Sequence, residues 1–285
     1  MTALLLCADP LAPARSRRPD PHFAREAEAA TEVALVDHDA LARGDLAEAV
    51  RRVPADLGPA WYRGWMVTAD RYAALEASLA AKGCRLLTDA DAYRRAHELP
   101  GWYGCFRDCT PASVWTEDLA GLDAWLDAAA AALDAKAAIV KDFVKSRKHE
   151  WDIACHVPDL ADRAAVRRVV SAFRDLQGED LYGGIVLRAF EDFTDAGGRT
   201  DQARVWWLDG VPVMTTAHPD TPGRLLDPDV TGVGDAVAAL EARFVTTDLA
   251  RRADGAWRVI EAGDGQVSDF PEGADVRPLI EALLR

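Results

Sequence analysis

Two Asp-Gly pairs, Asp209-Gly210 and Asp254-Gly255, each stand between runs rich in β-branched and aromatic residues: RVWWL and VPVMT around the first, FVTTDLA and WRVIEAG around the second. An Asp-Gly pair favours the positive φ angles of a tight turn, so RVWWLDGVPVMT (204–215) reads as a β-hairpin and 254–255 as a turn between two further strands. The C-terminal part of the chain is thereby committed to antiparallel pairing. The N-terminal part reads differently. ALLLC (3–7) is a short buried strand, a proline-rich polar loop follows, then the helix FAREAEAATEV and the strand VALVDHD (33–39). Strand, helix, strand is the pattern of a parallel sheet covered by helices. One chain therefore has to hold an α/β part and an α+β part.

Further along, TADRYAALEASLAAKG reads as a helix with Thr68 as its N-cap and Gly83 at its stop, and CRLLTDADAYRRAHEL as a strand and a second helix. PGWYGCFRDCTPASVWT (100–116) mixes Pro, Gly and aromatics without a period, so the domain boundary is placed there. The expected organisation is an α/β domain over 1–99 and an α+β domain over 100–285. Within the second, 118–135 and 160–177 read as helices, AAIVKDFV (137–144) and LYGGIVLRAFEDF (181–193) as strands, GDAVAALEARF opens with a helix, and DVRPLIEALL closes the chain as another.

With 47 acidic against 33 basic side chains, a net charge of -14 repels phosphate-rich polymers and anionic membranes, so neither is an expected partner. No apolar run approaches the roughly 20 residues of a membrane span, and MTALLLCADP is short for a secretory signal. A cytoplasmic protein is expected. The five cysteines are scattered and odd in number, as suits reduced thiols, and no metal is assigned to them.

Against that acidic average, AIVKDFVKSRKHEW (138–151) concentrates Lys141, Lys145, Arg147, Lys148 and His149 around one acid, Asp142. Cations at the mouth of a strand suit a polyphosphate; alone, the cluster fits a solvated loop as well. Arg188 follows four apolar residues in GGIVLRAFEDF, where it needs an anion, Glu191 or Asp192 being the local choices. Arg204 opens the hairpin, as an ordinary edge residue also would. Asp248, Glu261 and Asp264 lie on the last two strands, and carboxylates facing across a ladder repel unless a cation such as Mg²⁺ joins them. Neither GxxxxGK[ST] nor a strand-to-helix GxGxxG occurs, so a nucleotide would need another fold. His149, His156 and His218 have no partner readable in the sequence. Arg17, Arg18, Asp20 and Arg63 are candidates for a substrate side, whereas Trp61, Tyr62 and Trp65 read as core.

From TPASVW through VKDFVKSRKHEW, GGIVLRAF, ARVWWLDGVPV and RVIEAGDGQVS, about residues 100 to 285, the chain resembles the ATP-grasp superfamily, in the clade named for one arginine and two lysines. The resemblance implies two α+β subdomains that clamp ATP behind an α/β domain, and ligation of a carboxylate to an amine through an acylphosphate, with release of ADP and phosphate. It implies that Lys141 contacts ATP phosphates with Lys145 or Lys148 as the second lysine, and that Arg188 is the clade arginine. The backbone of Ala189 and Phe190 would face adenine, with Glu191 in the same nucleotide segment. Arg204 would sit near the γ-phosphate or acyl group, catalytic together with Lys141, and Asp248, Glu261 and Asp264 would hold Mg²⁺. Two departures stand out: Glu261 is followed by Ala262-Gly263-Asp264 where the superfamily has Glu-x-Asn, and SRKHEW replaces a glycine-rich flap. Small carboxylate and amine substrates are the expected partners. The competing expectation is a nucleotide-binding protein without ligase activity.

Overall fold

A computed structural model describes residues 2–12, 16–195, 197–219, 221 and 223–285. In chain order the strands and helices are β1 (Ala3–Cys7), α1 (Ala24–Ala29), β2 (Val33–Val36), α2 (His38–Arg43), α3 (Leu46–Ala49), β3 (Gly58–Arg63), α4 (Ala69–Ala80), β4 (Cys84–Leu86) and α5 (Ala90–His97). Next come α6 (Leu99–Phe106), β5 (Ser113–Thr116), α7 (Leu122–Ala132), β6 (Ala138–Lys141), β7 (His156–Val157), α8 (Arg163–Gln177) and β8 (Ile185–Ala189). The chain ends with β9 (Gln202–Leu208), β10 (Val211–Ala217), α9 (Val233–Ala239), β11 (Phe244–Arg251), β12 (Trp257–Asp264) and α10 (Arg277–Leu284). Among the described residues no helix is long and apolar enough to cross a membrane.

The chain forms two compact units, one of residues 1–97, 202–249 and 261–285, the other of 98–201 and 250–260. The first is not the contiguous stretch 1–99 of the sequence reading, because a core is assembled by apolar faces wherever in the chain they lie. In the first unit β2-β1-β3-β4 form an all-parallel sheet, with Leu4 opposite both Val33 and Trp61. Every residue of β1 is buried, as both faces of such a sheet are covered. The second sheet of this unit runs β10-β9-β11-β12. Its Trp206 and Phe244 enter the same core as Leu4, Leu5, Trp61 and the α10 residues Leu279 and Ile280. The indole of Trp61 meets the Phe244 ring at 5.8 Å and donates to the Leu283 carbonyl at 2.8 Å. The turn of the β9–β10 hairpin has φ of 50° at Asp209 and 78° at Gly210, the two positive angles expected of a tight Asp-Gly turn.

The second unit is built on the antiparallel sheet β5-β8-β6-β7, whose apolar face is covered by α7 and α8 through Leu122, Leu126, Val166, Val169 and Phe173. Here the first part of the aperiodic stretch 100–116 is in fact a helix and its end a strand. Pro100 lies in the first turn of α6, where its missing N–H costs nothing, and Trp102, Tyr103 and Phe106 are buried one turn apart. Burial of three aromatic rings outweighs the poor helix propensity of Gly101 and Gly104. β6 and β8 are shorter than their sequence patterns, the first ending at Lys141 and the second beginning at Ile185.

Candidate active site

In the second unit the basic stretch is an excursion between β6 and β7, which pair with each other through Ala138 and Val157. The residue that shapes it is the acid. Asp142, 1% exposed, accepts from the amides of Val144 at 2.7 Å and Lys145 at 2.5 Å with one oxygen, and from the Gln177 amide at 2.8 Å with the other. An aspartate that bonds backbone two and three residues ahead makes a turn, so β6 stops there and the cations that follow form a loop. Lys141 is buried at the end of the strand, and its ammonium donates to the Val144 carbonyl at 3.2 Å. Burial pushes the nearby Cys155 thiol up to about 11, with the Lys141 charge pulling the other way. Lys145 and Lys148 are exposed, while Arg147 is bound to the carbonyl of Leu176 at the end of α8.

Arg188 is 3% exposed. Its guanidinium donates to the hydroxyls of Thr110 at 2.8 Å and Ser113 at 3.0 Å and to the Ile260 carbonyl at 2.9 Å, and lies 5.6 Å from the centre of the Trp102 ring. Neutral oxygens and an aromatic face thus solvate the buried cation. Glu191 accepts from Arg258 Nη2 at 2.9 Å and Nε at 3.1 Å. Ala189 ends β8 and Phe190 follows it, 38% exposed. The Phe190 ring stands edge-on to Trp151 and His156, which stack on each other at 4.9 Å. His156 is therefore part of an aromatic surface around the segment 189–190, with its Nε2 buried and unbonded.

In the first unit Arg204, at the start of β9, binds Asp248 of β11 in a bidentate pair, Nε to Oδ1 at 2.7 Å and Nη2 to Oδ2 at 2.8 Å. Its Nη1 donates to the Asp269 carbonyl at 2.8 Å. His218 shares Asp248 Oδ2 at 3.2 Å. Burial by itself would raise the Asp248 carboxyl, but the Arg204 guanidinium and the His218 contact hold it well below the usual carboxylate range. Burial likewise opposes the charge on Arg204, which Asp248, Glu261 and Asp269 maintain.

The three carboxylates expected to share a metal are disposed differently from one another. Glu261 is exposed on β12, and Asp264, three residues on, lies on the opposite face of the strand, 0% exposed. One Asp264 oxygen accepts from the Gln266 amide at 2.8 Å; the other is buried without a partner, and burial raises the group to about 7. Among the described residues no three His, Cys, Asp or Glu side chains gather where they could hold a metal ion. The donor chemistry suits Mg²⁺ carried on phosphates, which asks the protein for one or two carboxylates. Glu261 can supply one, and Asp248 Oδ1, bonded once, retains a lone pair for a second. Asp264 does not fit.

On the expected substrate side, Arg63 is 1% exposed and paired with Glu26 at 2.7 Å, and its other arm binds the carbonyls of Gly265 and Ser268. It is an internal brace of the first unit. Arg18 pairs with Asp9 at 2.6 Å, and Asp20 accepts from the Trp65 indole at 3.0 Å. Arg17 is largely exposed. In the sequence Asp142 stands out only as the one acid of the basic stretch, and nothing there marks Thr110 and Ser113 as partners of Arg188.

A family model described as an ATP-grasp domain, family 3 of the clade named for one arginine and two lysines, matches residues 132–283. No curated protein sequence matches the chain. Among solved structures, a RimK domain protein ATP-grasp from Sphaerobacter thermophilus is similar over 100% of both chains, with 14% identity and a TM-score of 0.60. The D-alanine-D-alanine ligase of Coxiella burnetii is similar over 100% of this chain and 94% of its own, at 12% identity and a TM-score of 0.61. The ATP-grasp ligase PsnB, complexed with a minimal precursor, Mg and ADP, is similar over 99% and 97%, at 14% identity and a TM-score of 0.56. At such identities these likenesses speak to the fold.

Proposed function

Because the chain belongs to the ATP-grasp domains of the arginine-and-two-lysines clade, family 3, we propose that it is an ATP-dependent, ADP-forming ligase that joins the carboxylate of an amino acid, peptide or related small molecule to an amine. The observation that carries the reading is Lys141, an ammonium fixed by a carbonyl at the end of β6 and followed by the exposed lysines of the same loop. In this reading Lys141, with Lys145 or Lys148, binds the ATP phosphates, and Arg188 holds the strand that leads to the adenine-facing backbone of Ala189 and Phe190. The Trp151–His156–Phe190 cluster offers the base an aromatic surface. Glu191, committed to Arg258, shapes that segment rather than touching the nucleotide.

Phosphoryl transfer to the carboxylate calls chiefly for positioning and for stabilisation of spreading negative charge. Lys141 and its neighbour supply fixed positive charge to the phosphates. Arg204 presents its remaining N–H groups, one on each terminal nitrogen, to the acyl phosphate oxygens. Glu261 and Asp248 Oδ1 are the ligands this chain would offer to Mg²⁺, which when bound would offset the negative charge of the phosphates. The amine nitrogen then attacks the acyl carbon, phosphate leaves with the bonding electron pair, and the proton lost from the nitrogen passes to the departing phosphate.

The test is ADP release from ATP and Mg²⁺ over a panel of amino acids and short peptides, offered singly and in pairs. Release that needs both a carboxylate and an amine is expected, with Lys141→Ala and Glu261→Ala each lowering it at least a hundredfold, about 2.7 kcal/mol of barrier. ATP binding without release across the panel would favour a regulatory nucleotide-binding protein, for which Gly263 in place of the usual asparagine is the specific support.

A further inference from the structure

Of the described histidines, His218 alone touches the carboxylate that holds the candidate catalytic arginine. It follows the last residue of β10, is 8% exposed, and reaches across to Asp248 on β11, itself 3% exposed. We propose that His218 is a positioning residue for Arg204, acting through the Asp248 carboxylate that both side chains share; as a statement about catalysis it rests on the ligase reading above.

A carboxyl group turns freely about its last bond, because the terminal torsion of Asp is broad. Arg204 by itself does not stop this, since a planar fork can follow a planar carboxylate as the pair rotates together. Two contacts outside the pair break that freedom. The Asp269 carbonyl takes Arg204 Nη1 at 2.8 Å, fixing the far end of the guanidinium. The His218 Nε2–H donates to Asp248 Oδ2 at 3.2 Å, fixing the near end. Asp248 Oδ2 thus accepts from both Arg204 Nη2 and His218, and the plane of the fork is set from both sides. What remains of Arg204, one N–H on each terminal nitrogen, then points in one direction only. Reacting groups misplaced by about 1 Å lose on the order of a hundredfold in rate, so an arginine aimed at the acyl phosphate oxygens depends on such bracing. The same contact orients Asp248 whether or not its Oδ1 also ligates a cation.

Gln and Asn separate this role from a general need for a polar residue. The Gln amide nitrogen reaches the position of His Nε2; the Asn amide nitrogen stops at the level of Nδ1, short of Asp248. His218→Gln and His218→Asn are purified as full chains and compared in ADP release from ATP and Mg²⁺ with a mixture of the common amino acids. Expected is a kcat about tenfold lower for His218→Asn, a KM for ATP within about twofold of the parent, and recovery of most of kcat by His218→Gln. In an Asp248→Asn background, His218→Asn should add less than about a further twofold, since the two act as one unit. Equal activity of the Gln and Asn variants, or a loss confined to KM, overturns the proposal. A second readout does not require turnover: solvent exchange of the Arg204 Nε–H, followed by NMR, should quicken about tenfold or more in His218→Asn and stay slow in His218→Gln. If the parent protein releases no ADP the ligase reading falls, and the exchange measurement still decides whether His218 braces Arg204; unchanged exchange in His218→Asn sinks that brace.

Discussion

At the scale of single residues, several of this protein's buried charges are committed to one another. Arg63 answers Glu26, Arg258 answers Glu191, and Arg204 answers Asp248, each by two hydrogen bonds. Asp264 is held differently, a fully buried carboxyl with one oxygen unbonded. Its proton is held up to about 7 in the folded chain by burial, against about 3.9 for an unfolded aspartate. Between those values the native state binds more protons than the unfolded one, so this group makes stability fall as pH rises from about 4 to about 7, and level off above. The descent is on the order of 4 kcal/mol at most. Asp264→Asn, which keeps the acceptor for the Gln266 amide, should remove it: urea midpoints measured from pH 5 to 8 should fall for the parent and run flatter for the variant. Parallel curves would show that Asp264 is ionised in the folded protein.

At the scale of elements, one loop and one pair of glycines decide how the basic stretch is displayed. Asp142 pins the loop's first turn to the end of α8, through Gln177, and to the start of the next segment, through the Tyr182 amide at 3.4 Å. Asp142→Ala strips a buried carboxylate from several donors and should cost about 2–4 kcal/mol, weakening ATP binding with it; denaturant unfolding and nucleotide titration would measure both. An undisturbed ATP affinity would mean that the loop does not need this turn. Gly183 and Gly184 are required for a different reason. A Cβ on Gly183, whose φ is 73°, would overlap the Phe143 ring, and one on Gly184 would overlap the Thr116 carbonyl oxygen. Gly183→Ala and Gly184→Ala should each destabilise by about 1–3 kcal/mol or more, whereas Gly104→Ala, on α6 with open space around it, should be neutral or better. Equal unfolding midpoints for all three would refute the close approach.

At the scale of the whole molecule, the parallel sheet shares its core with residues more than a hundred positions later, among them Trp206, Phe244, Leu279 and Ile280. A fragment of residues 1–97 should therefore show no cooperative urea transition by circular dichroism, although its strands and helices are all local; a sharp transition would prove the α/β part self-sufficient. The same contrast separates what could be read in advance from what could not. The strand–helix–strand start, the Asp209-Gly210 hairpin, Thr68 as a helix cap and a strand carrying Lys141 were legible, because period, turn chemistry and capping act over a few neighbouring residues. So was the ATP-grasp family, whose ordered set of short motifs survives in one dimension. The α6 helix was not legible, since buried aromatics overrode its glycines. Neither were the partners of Arg188, Glu191 and Asp248. Those were settled only by the tertiary structure: a charge is committed by whichever donor or acceptor burial brings within about 3 Å, and for Arg204 that partner lies 44 residues away.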